Sequence, residues 1–396
     1  MLKAIIFDMD GVIIDSEPQH ARAAVLAMQK YNINVSLDYV YRFIGSTTYY
    51  MCQTMTEDFQ IAAAPEELLK TNEEMKELLR QREGYTAIPF VLDLIKNLHA
   101  HGLKLIIASS SSPSEIESVM DFFHIREYFE GYVSGTEVAH PKPAPDIFIK
   151  AAKQLKAEPS DCIIIEDSFN GVSAAAAAGI VSIGYVNPNS GNQDLRQSAM
   201  LVEGFEEVDC DFIHRVYQHA HMLPATILTT ERLIIRELAT EDIERLYEIS
   251  SKPEVCEYVA GLSSDIDLEK RKHEAYVKNI YHFYGYGLWG VFTKENLLIG
   301  RAGVEYKKVL QEDIYEIGYF IDPDHQGKGY ATECISAILS YSFDKLAIPK
   351  VTAIIPKDNL PSRHLAEKVG MKFSGELTHQ NQTCYTYEIY REAFRL

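Results

Sequence analysis

Two aspartates, Asp8 and Asp10, follow the short apolar run KAIIF near the start of the chain, and Gly11 comes next. Two carboxylates at this spacing can serve as a nucleophile and as a general acid and base beside Mg²⁺. The glycine allows the sharp turn that such a pair needs. Because an Asp-x-Asp sequence also occurs in ordinary solvated turns, the pair indicates phosphate chemistry only if suitable partners follow elsewhere.

Such partners follow three other stretches of the chain. Ser109 ends the strand predicted within LKLIIASS, Lys142 lies in HPKPAPDIF, and the acidic pair Glu166 and Asp167 ends DCIIIED. A hydroxyl, a fixed cation and an acidic pair are the groups that phosphoryl transfer requires. Apolar runs that alternate with helical patterns predict a parallel sheet, in which the strand ends meet at one edge. We therefore expect these groups to form one site.

The stretches FDMDGVIIDSE, ASSS, KPAPDIF and IEDSFNGVSAAAAAG resemble, in order and spacing, the haloacid dehalogenase (HAD) superfamily. The similarity is greatest to the branch that contains β-phosphoglucomutase and related phosphatases. It covers residues 1–214 and implies an α/β fold, a Rossmann-like core with a helical cap at about 16–88. The cap agrees with the amphipathic helical patterns between 18 and 85, which contain no apolar strand.

The HAD resemblance implies a role for each candidate residue. Asp8 would form an aspartyl-phosphate, and Asp10 would protonate the leaving group. Ser109 and Lys142 would hold the phosphoryl oxygens. The groups implied in binding Mg²⁺ are Asp8, the carbonyl of Asp10, Asp167 and, in or beside the coordination sphere, Glu166.

The cap sequence bears on the substrate. A β-phosphoglucomutase would be expected to carry basic residues near FIGSTT (43–48), where this chain has Ile44 and Thr48. A second phosphate on the substrate would then lack cationic partners, which favours a phosphatase for a monophosphate over a mutase. His20 and Arg22 are either cap contacts to the substrate or surface side chains.

A second phosphate-binding pattern, HQGKGYATEC, occupies residues 325–334. A Walker loop would require Gly-Lys-Ser/Thr, which GKGY lacks, and a dinucleotide fingerprint would require a parallel βαβ unit. The preceding runs GLWGVFT, LLIGRAGVEY and IYEIGYFI instead half-alternate in the manner of antiparallel strands. The remaining interpretation is a pyrophosphate held by backbone N–H groups at the N-terminus of a helix.

Residues 225–396 are similar to the GCN5-related N-acetyltransferases (GNAT), and most to the branch that acetylates the N-termini of ribosomal proteins. The similarity rests on TTERLIIREL, EIGYFIDPDHQGKGYATE and PKDNLPSRHLAEKVGMKFSGE. It implies an α+β domain with a mainly antiparallel sheet that binds acetyl-CoA. The residues implied in binding are Gln326, Gly327, Lys328, Gly329, Tyr330 and Ala331 on the pyrophosphate, the backbone of Phe320 or Ile321 on the thioester carbonyl or pantetheine arm, and Asn359 on the pantetheine arm.

The acid and base of the acetyltransferase are less well defined by the sequence. Many GNAT members place a tyrosine acid seven residues after the asparagine, where this chain has Ala366. Ser362 is then the better candidate to protonate the leaving thiolate or to order a water, unless it only caps a helix. Glu305 and Glu316 are candidate bases or structural ion-pair partners. The aromatic stretch 281–290 lines an acceptor pocket or, in the simpler interpretation, packs on a helix.

Composition limits the other possibilities. The 396 residues exceed one ordinary core, which predicts two domains, here 1–214 and 225–396. The net charge of −19 argues against general nucleic-acid binding. Six scattered cysteines without a Cys-x-x-Cys pair, an N-terminus unlike a signal peptide and the lack of long apolar runs predict a cytoplasmic protein that does not enter a membrane.

The function expected from the sequence is bifunctional, a Mg²⁺-dependent phosphatase of a small phosphorylated metabolite joined to an acetyl-CoA-dependent N-acetyltransferase. The acetyl acceptor would be an amine, on a small molecule or at a protein N-terminus. The alternative is a phosphatase or sugar-phosphate mutase joined to an acyl-CoA-binding module without catalytic activity. The sequence does not indicate the substrates or the oligomeric state.

Overall fold

The computed structural model describes residues 1–396 apart from 44–45, 260–261, 264, 282–283, 310–311, 380–381 and 395–396. Two compact units, Met1–His221 and Met222–Leu396, make up the chain, and each is described by itself. Within the described ranges, no helix has the length and apolar character needed to cross a membrane.

A parallel sheet of six strands forms the centre of the first unit. Its strands are β1 (Ala4–Phe7), β2 (Lys104–Ser109), β3 (Tyr132–Ser134), β4 (Cys162–Glu166), β5 (Val181–Tyr185) and β6 (Met200–Val202). Their spatial order is β3-β2-β1-β4-β5-β6, and every pairing is parallel. All four residues of β1 are buried, as a central parallel strand covered on both faces requires.

Four helices between β1 and β2 pack on one another around their own apolar cluster, which includes Ala24, Met28 and Met55. These helices are α1 (Glu17–Gln29), α2 (Leu37–Tyr41), α3 (Thr48–Asp58) and α4 (Pro65–Glu83). Pro65 is the first residue of α4, and Gly84 follows its last, an arrangement that favours both helix ends. We refer to α1–α4 as the cap.

Helices cover both faces of the sheet. The helices α5 (Val91–Ala100), α6 (Pro113–Phe122) and α9 (Cys210–Ala220) contribute to one apolar layer. The helices α7 (Asp146–Gln154) and α8 (Phe169–Ala177) contribute to the other. Ala174 and Ala175 of α8 are fully buried, so the alanine run is a helix with small side chains against the core. This doubly covered parallel sheet is the Rossmann-like core that the sequence predicts.

An eight-stranded sheet forms the second unit. Its strands are β7 (Thr226–Thr229), β8 (Leu233–Arg236), β9 (Leu288–Thr293), β10 (Leu298–Val309), β11 (Glu312–Ile321), β12 (Lys350–Pro356), β13 (Lys372–His379) and β14 (Gln382–Tyr390). The order is β13-β14-β12-β11-β10-β9-β8-β7. All pairings are antiparallel except β11 with β12, which are parallel. The predicted α+β domain with a mainly antiparallel sheet is confirmed.

The helices of the second unit connect these strands. They are α10 (Asp242–Ser250), α11 (Pro253–Cys256), α12 (Ile266–Tyr276), α13 (Tyr330–Asp344) and α14 (Leu360–Lys368). Between β11 and β12, the only register partners in the described part of the chain are Glu316 and Thr352. The two strands therefore separate toward the carboxyl end of β11, and this separation opens a cleft in the sheet.

Candidate active sites

Four charged side chains meet at the carboxyl ends of the central strands in the first unit. The Nζ atom of Lys142 lies 2.6 Å from Oδ1 of Asp8 and 2.6 Å from Oε1 of Glu166. Ligand oxygens of Asp8, Glu166 and Asp167 lie within 4.8 Å of one another, and all three residues are buried. The structure thus brings together the predicted nucleophile, the fixed cation and the acidic pair.

The charge of this cluster fits a divalent cation. Three buried carboxylates share one lysine, so two negative charges remain without a counter-ion when all are ionised. Burial raises the pKa of Asp8 to about 8, with Glu166 adding to the rise and Lys142 opposing it. Burial, together with the charges of Glu166 and Asp8, holds the pKa of Asp167 well above its ordinary value. Carboxylate oxygens are also the ligands that Mg²⁺ prefers.

Neighbouring residues fix the acidic pair in place. Oε2 of Glu166 accepts hydrogen bonds from the N–H and the hydroxyl of Ser168, at 2.8 and 2.9 Å. Oδ2 of Asp167 accepts one from Ser190. Gly11 has a φ of +79°, and a Cβ there would lie 2.0 Å from Oδ2 of Asp167, so only glycine fits. Both oxygens of Glu166 are occupied, which favours a place beside the metal ligands for this residue.

Asp10 faces a different set of partners. Its Oδ2 accepts hydrogen bonds from Ser111 at 2.7 Å and from Ser109 at 3.4 Å, and Ser109 is fully buried. The sequence analysis did not single out Ser111 or Ser190. The serine run 109–112 was the signal for Ser111, whereas the position of Ser190 depends on the loop after β5.

A small cavity of about 80 Å³ lies within the cap and is lined by His20, Thr48, Asn72 and Lys76. A second cavity contains the carboxylate cluster at Asp8, and Glu17 lines both cavities. Burial, followed by the charge of Lys76, lowers the pKa of His20 to about 4, so its imidazole is neutral at pH 7. Lys76 supplies a cation that the sequence argument overlooked.

The other predicted cap residues lie elsewhere. Arg22 forms an exposed ion pair with Glu83, which agrees with the surface interpretation. Ile44 lies outside the described residues.

In the second unit, a cavity of about 340 Å³ follows the cleft between β11 and β12. Phe320 and Asn359 line it, together with Tyr319, Ser362 and Ala366. The predicted pantetheine contacts and the candidate acid therefore share one cavity. Asn359 caps α14 through a hydrogen bond from the N–H of Ser362 to its side-chain oxygen, at 3.1 Å, so Asn359 and not Ser362 is the cap residue.

The glycine-rich loop leads directly into α13, with Gly329 as the residue before the helix. Gly327 and Gly329 have φ values of +71° and +83°, in the region that favours glycine. Backbone N–H groups from 327 to 332 donate to no acceptor among the described residues, whereas the N–H of Gln326 already bonds Pro323. The loop thus offers six consecutive donors, which begin one residue later than the sequence predicts. Ile321 ends the preceding strand and accepts a hydrogen bond from the Gln326 side chain.

Arg232 holds this loop in place. Its Nη1 donates to the carbonyl of Lys328 at 2.9 Å, and its Nε donates to Glu333 at 2.7 Å. Its guanidinium also lies 4.7 Å from the ring centre of Tyr330. Ala331 follows in the first turn of α13. The motif TTERLIIREL therefore contributes a clamp that the sequence analysis did not assign.

A hydroxyl pair lies at the start of α14. The hydroxyl of Tyr319 donates to Oγ of Ser362 at 3.1 Å. Burial raises the pKa of Tyr319 above its ordinary value, so this hydroxyl stays protonated at neutral pH. Ser362 and Ala366 are four residues apart and lie on one face of the helix. The strand β11 thus supplies a phenol next to the helix face where many family members carry their tyrosine.

The two candidate bases share one lysine. Lys307 lies 3.2 Å from Glu305 and 2.8 Å from Glu316. Glu305 also accepts a hydrogen bond from the hydroxyl of Tyr276. Of the two glutamates, only Glu316 lines the cavity. This favours Glu316 as the base, although its ion pair also fits a structural role.

The aromatic stretch 281–290 contributes mainly to packing. Tyr281 and Trp289 are fully buried in the core of the second unit. Leu288 lines the cavity, and residues 282–283 lie outside the described part of the chain. The simpler interpretation of this stretch therefore holds for Tyr281 and Trp289.

Comparisons with known proteins give one family match for each unit. Residues 2–179 match the family of haloacid dehalogenase-like hydrolases, and residues 232–372 match the GNAT acetyltransferase domain. Fructose-1-phosphate phosphatase YqaB of Escherichia coli is 30% identical over 181 residues, 45% of this chain and 94% of that protein. The uncharacterized N-acetyltransferase YnaD of Bacillus subtilis is 32% identical over 149 residues, 37% of this chain and 84% of that protein.

Solved structures include a β-phosphoglucomutase from Clostridium difficile, which is 21% identical with a TM-score of 0.46 and covers 56% of this chain and 99% of its own. Both matched families consist of enzymes. The two family matches and the YqaB and YnaD relatives show that the chain belongs to the HAD-like hydrolases through its first unit and to the GNAT acetyltransferases through its second.

Proposed function

We propose that residues 1–214 form a Mg²⁺-dependent phosphatase of a small phosphorylated metabolite and that residues 225–396 form an acetyl-CoA-dependent N-acetyltransferase. The observation that carries the first assignment is Lys142 held between Asp8 and Glu166 beside Asp167. The second rests on six unpaired backbone donors beside the cleft between β11 and β12. The name of the fructose-1-phosphate phosphatase relative supports a sugar-phosphate-like substrate.

In the proposed phosphatase reaction, an oxygen of Asp8 attacks phosphorus and displaces the alcohol, whose oxygen takes a proton from Asp10. Ser111 and Ser109 orient Asp10 through its Oδ2. Asp10, now a carboxylate, then takes a proton from water, whose oxygen attacks phosphorus and releases phosphate from Asp8. Lys142 favours the ionised form of Asp8 against the opposing effect of burial, and it offsets the charge of the phosphoryl oxygens. Bound Mg²⁺ supplies further positive charge at Asp8 and Asp167.

The decisive test of the phosphatase is Asp8→Asn, because an amide oxygen is a poor nucleophile toward phosphorus. We expect at least a ~1,000-fold loss of phosphate release from a panel of sugar and polyol monophosphates. Asp93→Asn is the matched control, since Asp93 is an exposed residue of α5. Activity near wild type in Asp8→Asn would refute the mechanism. Formation of a sugar-phosphate isomer without release of phosphate would support the mutase alternative.

In the proposed acetyl transfer, the amine of the acceptor attacks the thioester carbonyl, and the thiolate of coenzyme A leaves. The hydroxyl of Tyr319 turns from Ser362 to this thiolate and donates a hydrogen bond and then its proton, while it accepts a hydrogen bond from Ser362 in exchange. Glu316 takes the proton that the amine loses. The backbone of Phe320 or Ile321 holds the acetyl end, and the donors from 327 to 332 hold the pyrophosphate.

The acetyltransferase is tested by release of coenzyme A from acetyl-CoA with a panel of amines, together with titration of acetyl-CoA alone. Binding with turnover on at least one amine supports the enzyme. Tight binding without turnover on small amines or peptide N-termini would support the alternative of a non-catalytic acyl-CoA module. The shared Lys307 at both glutamates is the observation that keeps this alternative open.

A further inference from the structure

One arginine on the wall of the cavity in the second unit has no carboxylate partner among the described residues. Arg301 of β10 lines the cavity of 340 Å³. None of the ion pairs within 4.0 Å among the described residues involves its guanidinium, although Lys307 on the same strand pairs with two glutamates. A partly buried cation without a counter-ion is unfavourable unless it has a ligand to bind.

The contacts of Arg301 use only part of its guanidinium. Its Nε donates to the carbonyl of Leu288 at 3.3 Å, and its Cζ lies 5.2 Å from the ring centre of Tyr276. These neighbours are neutral, so they orient the planar group without neutralising its charge.

Arg236 shows what a structural arginine in the same sheet looks like. Both of its Nη atoms bond the carboxylate of Asp242, at 2.8 and 3.2 Å, and its Cζ lies 3.7 Å from the ring centre of Phe292. It does not line the cavity. Arg301 therefore differs from Arg236 in two properties: it lines the cavity, and it forms no ion pair among the described residues. These properties are typical of a residue that binds a ligand.

The register of β10 and β11 places Arg301 relative to the cleft. The pairs in order are Arg301 with Phe320, Gly303 with Gly318, and Glu305 with Glu316. Residues that pair across antiparallel strands present their side chains on the same face. This face therefore carries Arg301 at one end, two glutamates with their shared Lys307 at the other, and two glycines between them.

Gly318 leaves room for the acceptor amine, whereas Gly303 is crowded, since a Cβ there would lie 1.9 Å from the carbonyl oxygen of Gly287. A Cβ at Gly318 would have its nearest neighbour at 3.8 Å, the Cδ2 atom of Leu288, which is an ordinary van der Waals distance, so a small group fits above this residue without displacing a neighbour. An amine placed there is two residues, roughly 7 Å along the strand, from Arg301 in one direction and from Glu316 in the other. An anionic group on the acceptor can then reach the guanidinium while the amine lies beside the thioester.

We propose that Arg301 binds an anionic group of the acetyl acceptor, a carboxylate or a phosphomonoester, so that the acceptor is an anionic amine. The proposal rests on the proposed acetyltransferase function and specifies the class of its substrate. A guanidinium matches both anions because its fork donates two parallel hydrogen bonds. Amines without an anionic group would lack a partner for this cation.

The test is the affinity of matched probes for the full-length protein saturated with coenzyme A, with EDTA present to prevent dephosphorylation. One pair is L-serine and L-serinamide, and the other is O-phosphoethanolamine and ethanolamine. We expect the anionic member of at least one pair to bind roughly 10- to 100-fold more tightly than its neutral partner. The pair that shows this difference identifies the anion as a carboxylate or a phosphate.

The variants Arg301→Met and Arg301→Lys connect the preference to this residue. We expect Arg301→Met to abolish the preference and Arg301→Lys to retain part of it, with acetyl-CoA affinity within about 3-fold of wild type as the check on folding. Lys308→Met is the matched control, because Lys308 is an exposed cation near the end of the same strand. Equal binding of both members of each pair to the wild-type protein would overturn the proposal, as would a preference that survives in Arg301→Met. A wild-type protein that does not bind acetyl-CoA would instead refute the proposed acetyltransferase.

Discussion

Replacing Gly171 by alanine separates the requirements of the helix from those of the phosphatase site. Gly171 lies in the first turn of α8, where alanine would normally stabilise the helix by about 0.5–1 kcal/mol. A Cβ at this position, however, would lie 1.7 Å from Oε1 of Glu166. Glu166 has little freedom to move, because its two oxygens bind Lys142 and Ser168.

The expected effect follows from what must break. If Glu166 turns away, Lys142 loses one of its two buried carboxylate partners, and breaking a buried ion pair costs about 3–5 kcal/mol. Subtracting the helix gain leaves a loss of about 2–4 kcal/mol in the free energy of unfolding. We also expect phosphate release to fall by at least ~10-fold, because Lys142 would lose the second carboxylate that fixes its position beside Asp8.

The assay can follow the two units separately. Trp289, the single tryptophan, lies in the second unit, so its fluorescence reports the unfolding of that unit in denaturant. Loss of phosphatase activity reports the first, and far-UV circular dichroism reports both units together. Gly171→Ala should shift only the transition of the first unit, and Ser173→Ala in the same helix should change both readouts little. A Gly171→Ala protein with equal or greater stability and unchanged phosphatase activity would refute the steric argument.

Three further predictions concern single contacts. Tyr319→Phe should lower kcat for acetyl transfer by roughly 10- to 100-fold with little change in acetyl-CoA affinity, because it removes one hydrogen bond to the leaving thiolate. An unchanged kcat would contradict that role. Ser190→Ala should raise the Mg²⁺ concentration for half-maximal phosphatase activity by roughly 10-fold, because Asp167 loses its hydroxyl partner. An unaltered Mg²⁺ titration would show that Ser190 does not orient Asp167. Gly329→Trp should weaken acetyl-CoA binding at least ~10-fold, because tryptophan is strained at this positive φ and its side chain covers the backbone donors. Phosphatase turnover should stay near wild type. Equal loss of both activities would argue against two separate sites.

The sequence could predict the groups that a parallel sheet brings together by its topology alone. Asp8, Ser109 and Glu166 each lie at or just after the end of an apolar strand, and parallel strands bring such ends to one edge. Lys142 is on a loop, but its placement followed from the family resemblance. The loop of 326–331 was likewise visible, because glycines spaced in this way before a helix are typical of anion binding by backbone N–H groups.

Other parts of the sites could not be predicted because they depend on where loops and separate helices come together. Ser190 reaches Asp167 across a turn after β5, and Lys76 reaches the cap cavity from a helix far along the chain from FIGSTT. Tyr319 required knowing which face of β11 meets α14, and a one-residue shift of register would have reversed it. Contacts of this kind are set by tertiary packing and leave no local pattern in the sequence.

The single register pair between β11 and β12 has a consequence for local stability. Where these strands separate, their facing backbone groups lack the ladder that protects amides elsewhere in the sheet, so hydrogen exchange there should be fast in the protein alone. A ligand that forms hydrogen bonds to this backbone replaces the hydrogen bonds that are missing between the two strands. At a concentration 100 times its Kd, it would add about 2.7 kcal/mol to the stability of the second unit. Amide protection should therefore rise along the facing edges of β11 and β12 when the ligand saturates the cleft. Hydrogen exchange at these amides would then measure how much of the protein has ligand bound.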